Sequence, residues 1–261
     1  MTPKCLSRKG KWGCSKLLLP RQDLLRGVRW LPADGTDLDA EPSTRAMTQE
    51  EIPATEAMHR LARECAERSR VWWRELEVLL TAYSGFRWGE HAALTSNQIE
   101  VDRRRITVDR QVVETRSELR EALPKGRRRR VTMYPACTPG GIDIDEMVER
   151  RLAELPDASH LMFPSPRGEW ERRSNYGRNL WDPACEFIGW PKHPDRNGWL
   201  WTFHSLRHVF ATWALGQPNI RIEDVSRLLG HSSIRVIQEI YVHVSSDVFD
   251  RFFDATERPP S

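Results

Sequence analysis

The hydrophobic period of this chain changes twice along its length, and no other feature limits its fold as much. Between Ile99 and Pro135 the period is two. Ile106, Val108, Arg110 and Val112 alternate with Thr107, Asp109 and Gln111, and Val131 and Met133 continue the pattern beyond a basic turn. On either side the period is helical. It runs through residues 56–68, then from Val71 to Tyr83 with Val71, Leu76, Leu79 and Leu80 as an apolar stripe, and through a short helix to Leu94 after Gly85. It returns at Ile144 and persists to Phe253, interrupted by a loop-rich, tryptophan-rich stretch from Pro156 to Trp201. Such a chain is α+β: a mostly helical domain with one small antiparallel β-sheet near its N-terminal part. Thr48 and Glu51 have the spacing of a capping box, so the compact domain is expected over residues 46–261, with residues 1–45 an irregular tail or linker, basic and then acidic.

The formal net charge of +3 over 261 residues conceals opposed blocks. Residues 101–130 carry eleven bases against five acids, whereas residues 31–60 carry two against seven. A local basic block suits a polyanionic partner, although solvated faces in an arginine-rich chain would look the same. Of the basic residues 34 are Arg and six are Lys, and Lys125 is the only lysine between Lys16 and Lys192. An ammonium can act as a general acid, whereas a guanidinium releases no proton near neutral pH, so this lysine is a candidate proton donor. The five cysteines are scattered, with no CxxC pair and no zinc-ligand spacing. The apolar run Leu17–Leu19 stops at Pro20, too short for a signal peptide or a membrane segment, and an intracellular, reduced protein is expected.

Five local patterns carry the chemistry. Ser84-Gly85-Phe86-Arg87-Trp88-Gly89-Glu90 sets Arg87 between two glycines at the start of a helix. Lys125-Gly126 followed by Arg127, Arg128, Arg129 and Arg130 forms a turn between strands, suited to DNA phosphates or simply to solvent. His204-Ser205-Leu206-Arg207-His208 places His204 and Arg207 on one helical face. In Leu229-Gly230-His231-Ser232, Gly230 suits a left-handed helix end that displays His231. Tyr241 follows ten residues later. Each has an ordinary structural reading when taken alone. Together two arginines, two histidines, a lysine and a tyrosine suit phosphoryl transfer with no metal or other cofactor, the guanidiniums neutralising the nonbridging oxygens and nearby cations activating the phenol.

In their order and spacing, these motifs resemble the tyrosine recombinases, or phage-type integrases, over about residues 46–255. The resemblance implies site-specific DNA recombination or integration. Tyr241 would attack the scissile phosphate to give a 3′-phosphotyrosine and a free 5′-hydroxyl, with Arg87 and Arg207 on the nonbridging oxygens. His204 and His231 would assist, and Lys125 would protonate the leaving oxygen. It further implies double-stranded DNA as partner, a homotetramer on paired sites, a cytoplasmic, nucleoid-associated enzyme of a phage or mobile element, and no membrane. Val248, Phe249, Phe252 and Phe253 have the spacing of a terminal helix, packed on its own core or docked on a neighbouring protomer. Typical members carry a helical core-binding domain first. Residues 1–45 are too few for it, and Leu24–Trp30 resembles the linker that follows it. Two other readings stay open: a type IB topoisomerase-like enzyme, and a DNA-binding integrase remnant without activity.

Overall fold

The computed structural model describes residues 53–115, 118–124, 129–194 and 197–230. The capping pair Thr48–Glu51, Lys125, Arg127, Arg128, His231, Tyr241 and the terminal aromatic stripe lie outside the described residues.

Helix α1 (Thr55–Ser69) leads through a left-handed Arg70 into α2 (Trp73–Ser84). Ten of the twelve residues of α2 are buried, because α1, α4 (Ile144–Glu154) and α7 (Ser205–Leu215) all pack against it. An all-round buried helix is the centre of a domain, and Leu76, Leu79 and Leu80 fill that role here, each worth about 1.5–3 kcal/mol on burial. Gly85 ends α2 at φ 69°, and α3 (Trp88–Ala92) begins three residues later. Phe210 of α7 joins Val225 and Leu229 of α8 (Ile222–Leu229) in a second apolar cluster, which seats α8 on α7.

The period-two segment forms two sheets rather than one. Strands β1 (Ile99–Glu100), β2 (Arg105–Val108) and β5 (Arg130–Met133) pair antiparallel in the order β1-β2-β5, with Ile106 opposite Thr132 and Val108 opposite Arg130. Strands β3 (Gln111–Glu114) and β4 (Leu119–Ala122) form a separate hairpin. The run breaks at Asp109, whose carboxylate accepts from Gln98 Nε2 at 2.7 Å and from Arg129 at 3.1 Å. Beyond it β3 turns onto α3, where Val112 packs with Ala92 and Ala93. Gly89 permits the approach, since a Cβ there would stand 2.4 Å from the Val112 carbonyl oxygen.

Strand β5 also faces the opposite way from the hydrophobic alternation. Val131 and Met133 point outward, 47% and 44% exposed, and the inward residues are Arg130 and Thr132. The stretch read as loop between Pro156 and Trp201 contains a helical run: α5 (Arg173–Tyr176), a π-helical turn (Gly177–Trp181) and α6 (Asp182–Phe187). Its tryptophans anchor core and loop, with Trp181 and Trp190 buried and Trp190 Nε1 donating to the Trp201 carbonyl at 2.9 Å. Cys65, Cys137 and Cys185 are all buried. Among the described residues no helix is long and apolar enough to cross a membrane.

Candidate active site

The site grows out of the ends of four elements. After Gly85 the chain extends at Arg87 (φ −77°, ψ 158°), which is the residue before α3. The Glu90 carboxylate reaches back to it, accepting the Arg87 backbone N–H at 2.9 Å and Nη1 at 3.2 Å. This is the reciprocal half of a capping box, and it fixes the guanidinium to the same carboxylate that caps the helix. The Arg87 side chain is 17% exposed and Glu90 is buried.

Arg207 lies one turn into α7, 3% exposed. Its Nη1 donates to the Gly85 carbonyl at 2.5 Å and its Nη2 to the Leu229 carbonyl at 2.6 Å. The last carbonyls of α8 are the negative end of a helix, so a cation is well placed there. Gly85 has no room for a side chain, because a Cβ would come within 2.6 Å of Phe210 and 2.7 Å of Leu229.

Arg130 opens β5 and points inward. Its Nη2 donates to Glu90 Oε2 at 2.6 Å and to the Gly85 carbonyl at 3.5 Å, and its Nη1 donates to the Leu228 carbonyl. The expectation that Arg130 is displayed to DNA is therefore corrected. A guanidinium in the interior binds the carboxylate and carbonyls that would otherwise be buried without partners. Its neighbour Arg129 does point outward, with a side chain 71% exposed and paired to Asp109 at 3.1 Å. Thr132, two residues along, donates to the Ser84 carbonyl at 2.7 Å.

Three guanidiniums thus gather around one carboxylate. Burial pushes the Glu90 carboxyl up, but Arg130, Arg207 and Arg87 together outweigh it and hold the group at about 2. His204, the residue before α7, is half-buried and stands with its ring 5.0 Å from that of His208. Burial first, then the charges of Arg207, Arg173 and Arg87, push its imidazole down to about 3, so it is neutral at pH 7. Arg173, at the start of α5, is a further cation near the site that the sequence motifs did not single out.

Of the sequence candidates, Arg87, His204 and Arg207 converge, and Arg130 joins them in a different role. Glu90 was part of a quoted motif without a function of its own, and its spacing three residues after a helix-starting residue was the available signal. The three described tyrosines are all interior. Burial pushes the hydroxyls of Tyr83, Tyr134 and Tyr176 up, further helped by Glu56, Asp145 and Glu77 respectively.

The sequence pattern of the phage integrase family matches residues 50–247. The chain belongs to the phage integrase family. It is accordingly a site-specific DNA recombinase. The topoisomerase and inactive-remnant readings are not favoured. Solved structures of similar fold include the Tn1549 transposon integrase in complex with a circular intermediate DNA, at a TM-score of 0.61 and 17% identity over 83% of this chain and 67% of that one. The XerA recombinase aligns at 0.50 and 21% identity, over 80% and 66%. The XerH site-specific recombinase bound to its difH substrate aligns at 0.51 and 18% identity, over 80% and 55%. A comparison with curated proteins finds no match.

Proposed function

We propose that this integrase breaks and rejoins DNA through a 3′-phosphotyrosyl intermediate formed on Tyr241. The observation that carries the reading is the gathering of cations beside one buried carboxylate: Arg87 and Arg130 bind Glu90, and the charge of Arg207 acts on it from nearby. Guanidiniums fixed in this way present donors and positive charge to a phosphodiester that enters on the side left open next to Arg87. Arg87 and Arg207 hold its two nonbridging oxygens. The Tyr241 oxygen forms a bond to phosphorus as the bond from phosphorus to the 5′-oxygen breaks. The neutral His204 helps take up the phenolic proton, His231 donates a hydrogen bond to the phosphoryl oxygens, and Lys125 gives its proton to the departing 5′-oxygen. Tyr83, Tyr134 and Tyr176 are buried in the core, which supports Tyr241 as the phenol that attacks. Because the covalent bond conserves the phosphodiester, a 5′-hydroxyl from a partner strand reverses the step without ATP.

Four protomers on two paired sites would carry out the two rounds of exchange, with residues 46–261 as the catalytic unit, Arg127–Arg129 on the DNA backbone and the enzyme held on chromosomal DNA in the cytoplasm. The test is a pool of nicked duplexes with randomised sequence around the nick, which traps the enzyme when a short 5′-hydroxyl fragment diffuses away. Wild type should leave an SDS-resistant protein–DNA adduct and Tyr241→Phe none. An adduct with Tyr241→Phe would falsify the nucleophile assignment, and no adduct with either would remove the cleavage reading. Size analysis of captured complexes should give four protomers for two duplexes, and a complex that stays at one protomer per duplex removes the tetramer.

A further inference from the structure

We infer that Arg130 is a positioning residue for the phosphate-binding arginines, acting through Glu90 and through the end of α8 rather than on the DNA. The inference rests on the cleavage reading above. Arg130 stands where three separate parts of the chain meet. It binds Glu90 Oε2 at 2.6 Å on α3, the Gly85 carbonyl before Arg87, and the Leu228 carbonyl on the last turn of α8, two residues before the turn that leads to His231. Its aliphatic stem fills the space that a Gly230 side chain would need, since a Cβ there would lie 2.5 Å from Arg130 Cδ. Its guanidinium also sits 6.0 Å from the centre of the Phe86 ring.

The Glu90 carboxylate is divided between two duties. One oxygen, Oε2, is held by Arg130 and by the Arg87 backbone N–H, and the other, Oε1, is held by the Arg87 guanidinium. Taking Arg130 away frees Oε2 and lets the carboxylate swing toward Arg87 or Arg207, which would withdraw one of them from the phosphate. It also removes one of the two guanidiniums bound to the last carbonyls of α8, leaving the Arg207 bond to Leu229 and the apolar packing on α7. The guanidinium spreads these bonds over two nitrogens in a fixed plane, Nη2 toward Glu90 and Nη1 toward Leu228, whereas a lysine offers a single nitrogen.

The test uses Arg130→Lys and Arg130→Met in the full chain, with the nicked duplexes that wild type has captured. Single-turnover adduct formation should slow at least about tenfold in Arg130→Lys and about 100-fold in Arg130→Met, the cost of misplacing groups by an ångström or so. Dissociation constants for the same duplexes should stay within about threefold of wild type, because the residue does not touch DNA. Arg130→Lys keeps the charge and is the variant to rely on if Arg130→Met melts below the assay temperature. A duplex with a bridging 5′-sulfur, whose leaving group needs no proton, should leave the defect in place. Restoration of the rate by that sulfur would reassign Arg130 to the general-acid turn and overturn the inference. So would a wild-type rate in Arg130→Lys, or a loss of DNA affinity that accounts for the whole defect. A wild type that forms no adduct removes the cleavage reading itself and this role with it, an outcome separate from any difference among variants.

Discussion

Two buried arginine–carboxylate clusters lie on either side of the short helix α3, and they differ in how they balance. In the first, Arg74 donates to both oxygens of Glu77 at 2.9 and 2.8 Å and to Glu171 at 3.1 Å, and His91 Nε2 stands 3.0 Å from Glu77. The rings of Trp73 and Tyr176 cover the guanidinium at 4.6 and 5.4 Å, and Phe163 stacks on His91. Two carboxylates answer one guanidinium and one imidazole, and all four side chains are buried. In the second, Arg87 and Arg130 bind Glu90 while Arg207 lies close enough for its charge to act on it, and Arg87 is partly open to solvent. Both clusters use the same residue types and the same α3. The first cluster is closed on all sides, and the second has a guanidinium, Arg87, on its open side. A buried ion pair is therefore uninformative about function until its charges are added up.

The comparison can be broken by experiment, and the largest expected effect lies in the open cluster. Arg207→Met should lower adduct formation by about 1,000-fold, as expected for removing a donor to developing charge, and a near-wild-type rate measured in single turnover would show that this arginine is merely structural. Next comes the closed cluster. Glu77→Ala should cost about 3–5 kcal/mol of stability by leaving Arg74 without its main partner, while the rate per folded molecule stays unchanged. Chemical denaturation paired with adduct kinetics checks both halves, and a rate loss without destabilisation would merge the two clusters into one.

Acid should distinguish them through Glu90. Its carboxyl is lowered to about 2 in the fold against roughly 4.3 when unfolded, so it stabilises above the unfolded value and that stability is lost as pH falls toward 2. The contribution is on the order of 3 kcal/mol. His204 adds to the same limb from higher pH, because it is neutral when folded and takes a proton when unfolded below about 6.5. Melting temperature against pH should flatten between about 4.3 and 2 in Glu90→Gln and between about 6.5 and 3 in His204→Gln. Unchanged acid limbs would mean that neither group is held as described. The smallest effect belongs outside both clusters. Arg129→Ala should alter stability by less than about 0.5 kcal/mol, yet lower the salt dependence of DNA binding by about one unit of slope. An unaltered slope in a filter-binding titration would remove Arg129 from the interface.

Much of this was legible in the sequence, for reasons that can be stated. Helices α1 and α2 announce themselves by an apolar stripe at helical spacing, and Gly85 and Gly230 mark helix ends that do adopt the left-handed conformation. His204 and Arg207 meet because three residues make nearly one turn. The strands were harder. Alternation from Ile106 to Val112 runs unbroken through Asp109, so the sequence contains no sign that the chain leaves one sheet for another there. In β5 the inward residues are polar, and a pattern that equates apolar with inward gives the wrong face. Four successive arginines likewise hide their own parity. Only the burial of Thr132 reveals that Arg130 shares its face and that Arg129 does not. The helical run from Arg173 to Phe187 was concealed by glycine, proline and a π-helical turn that breaks the usual spacing.

One missing side chain has a mechanical consequence. With no Cβ at Gly89, the backbone of β3 comes closer to α3, the helix that begins just after Arg87, than any side chain there would allow. A displacement of the β3 backbone therefore bears directly on α3, the helix that carries Glu90 and begins just after Arg87.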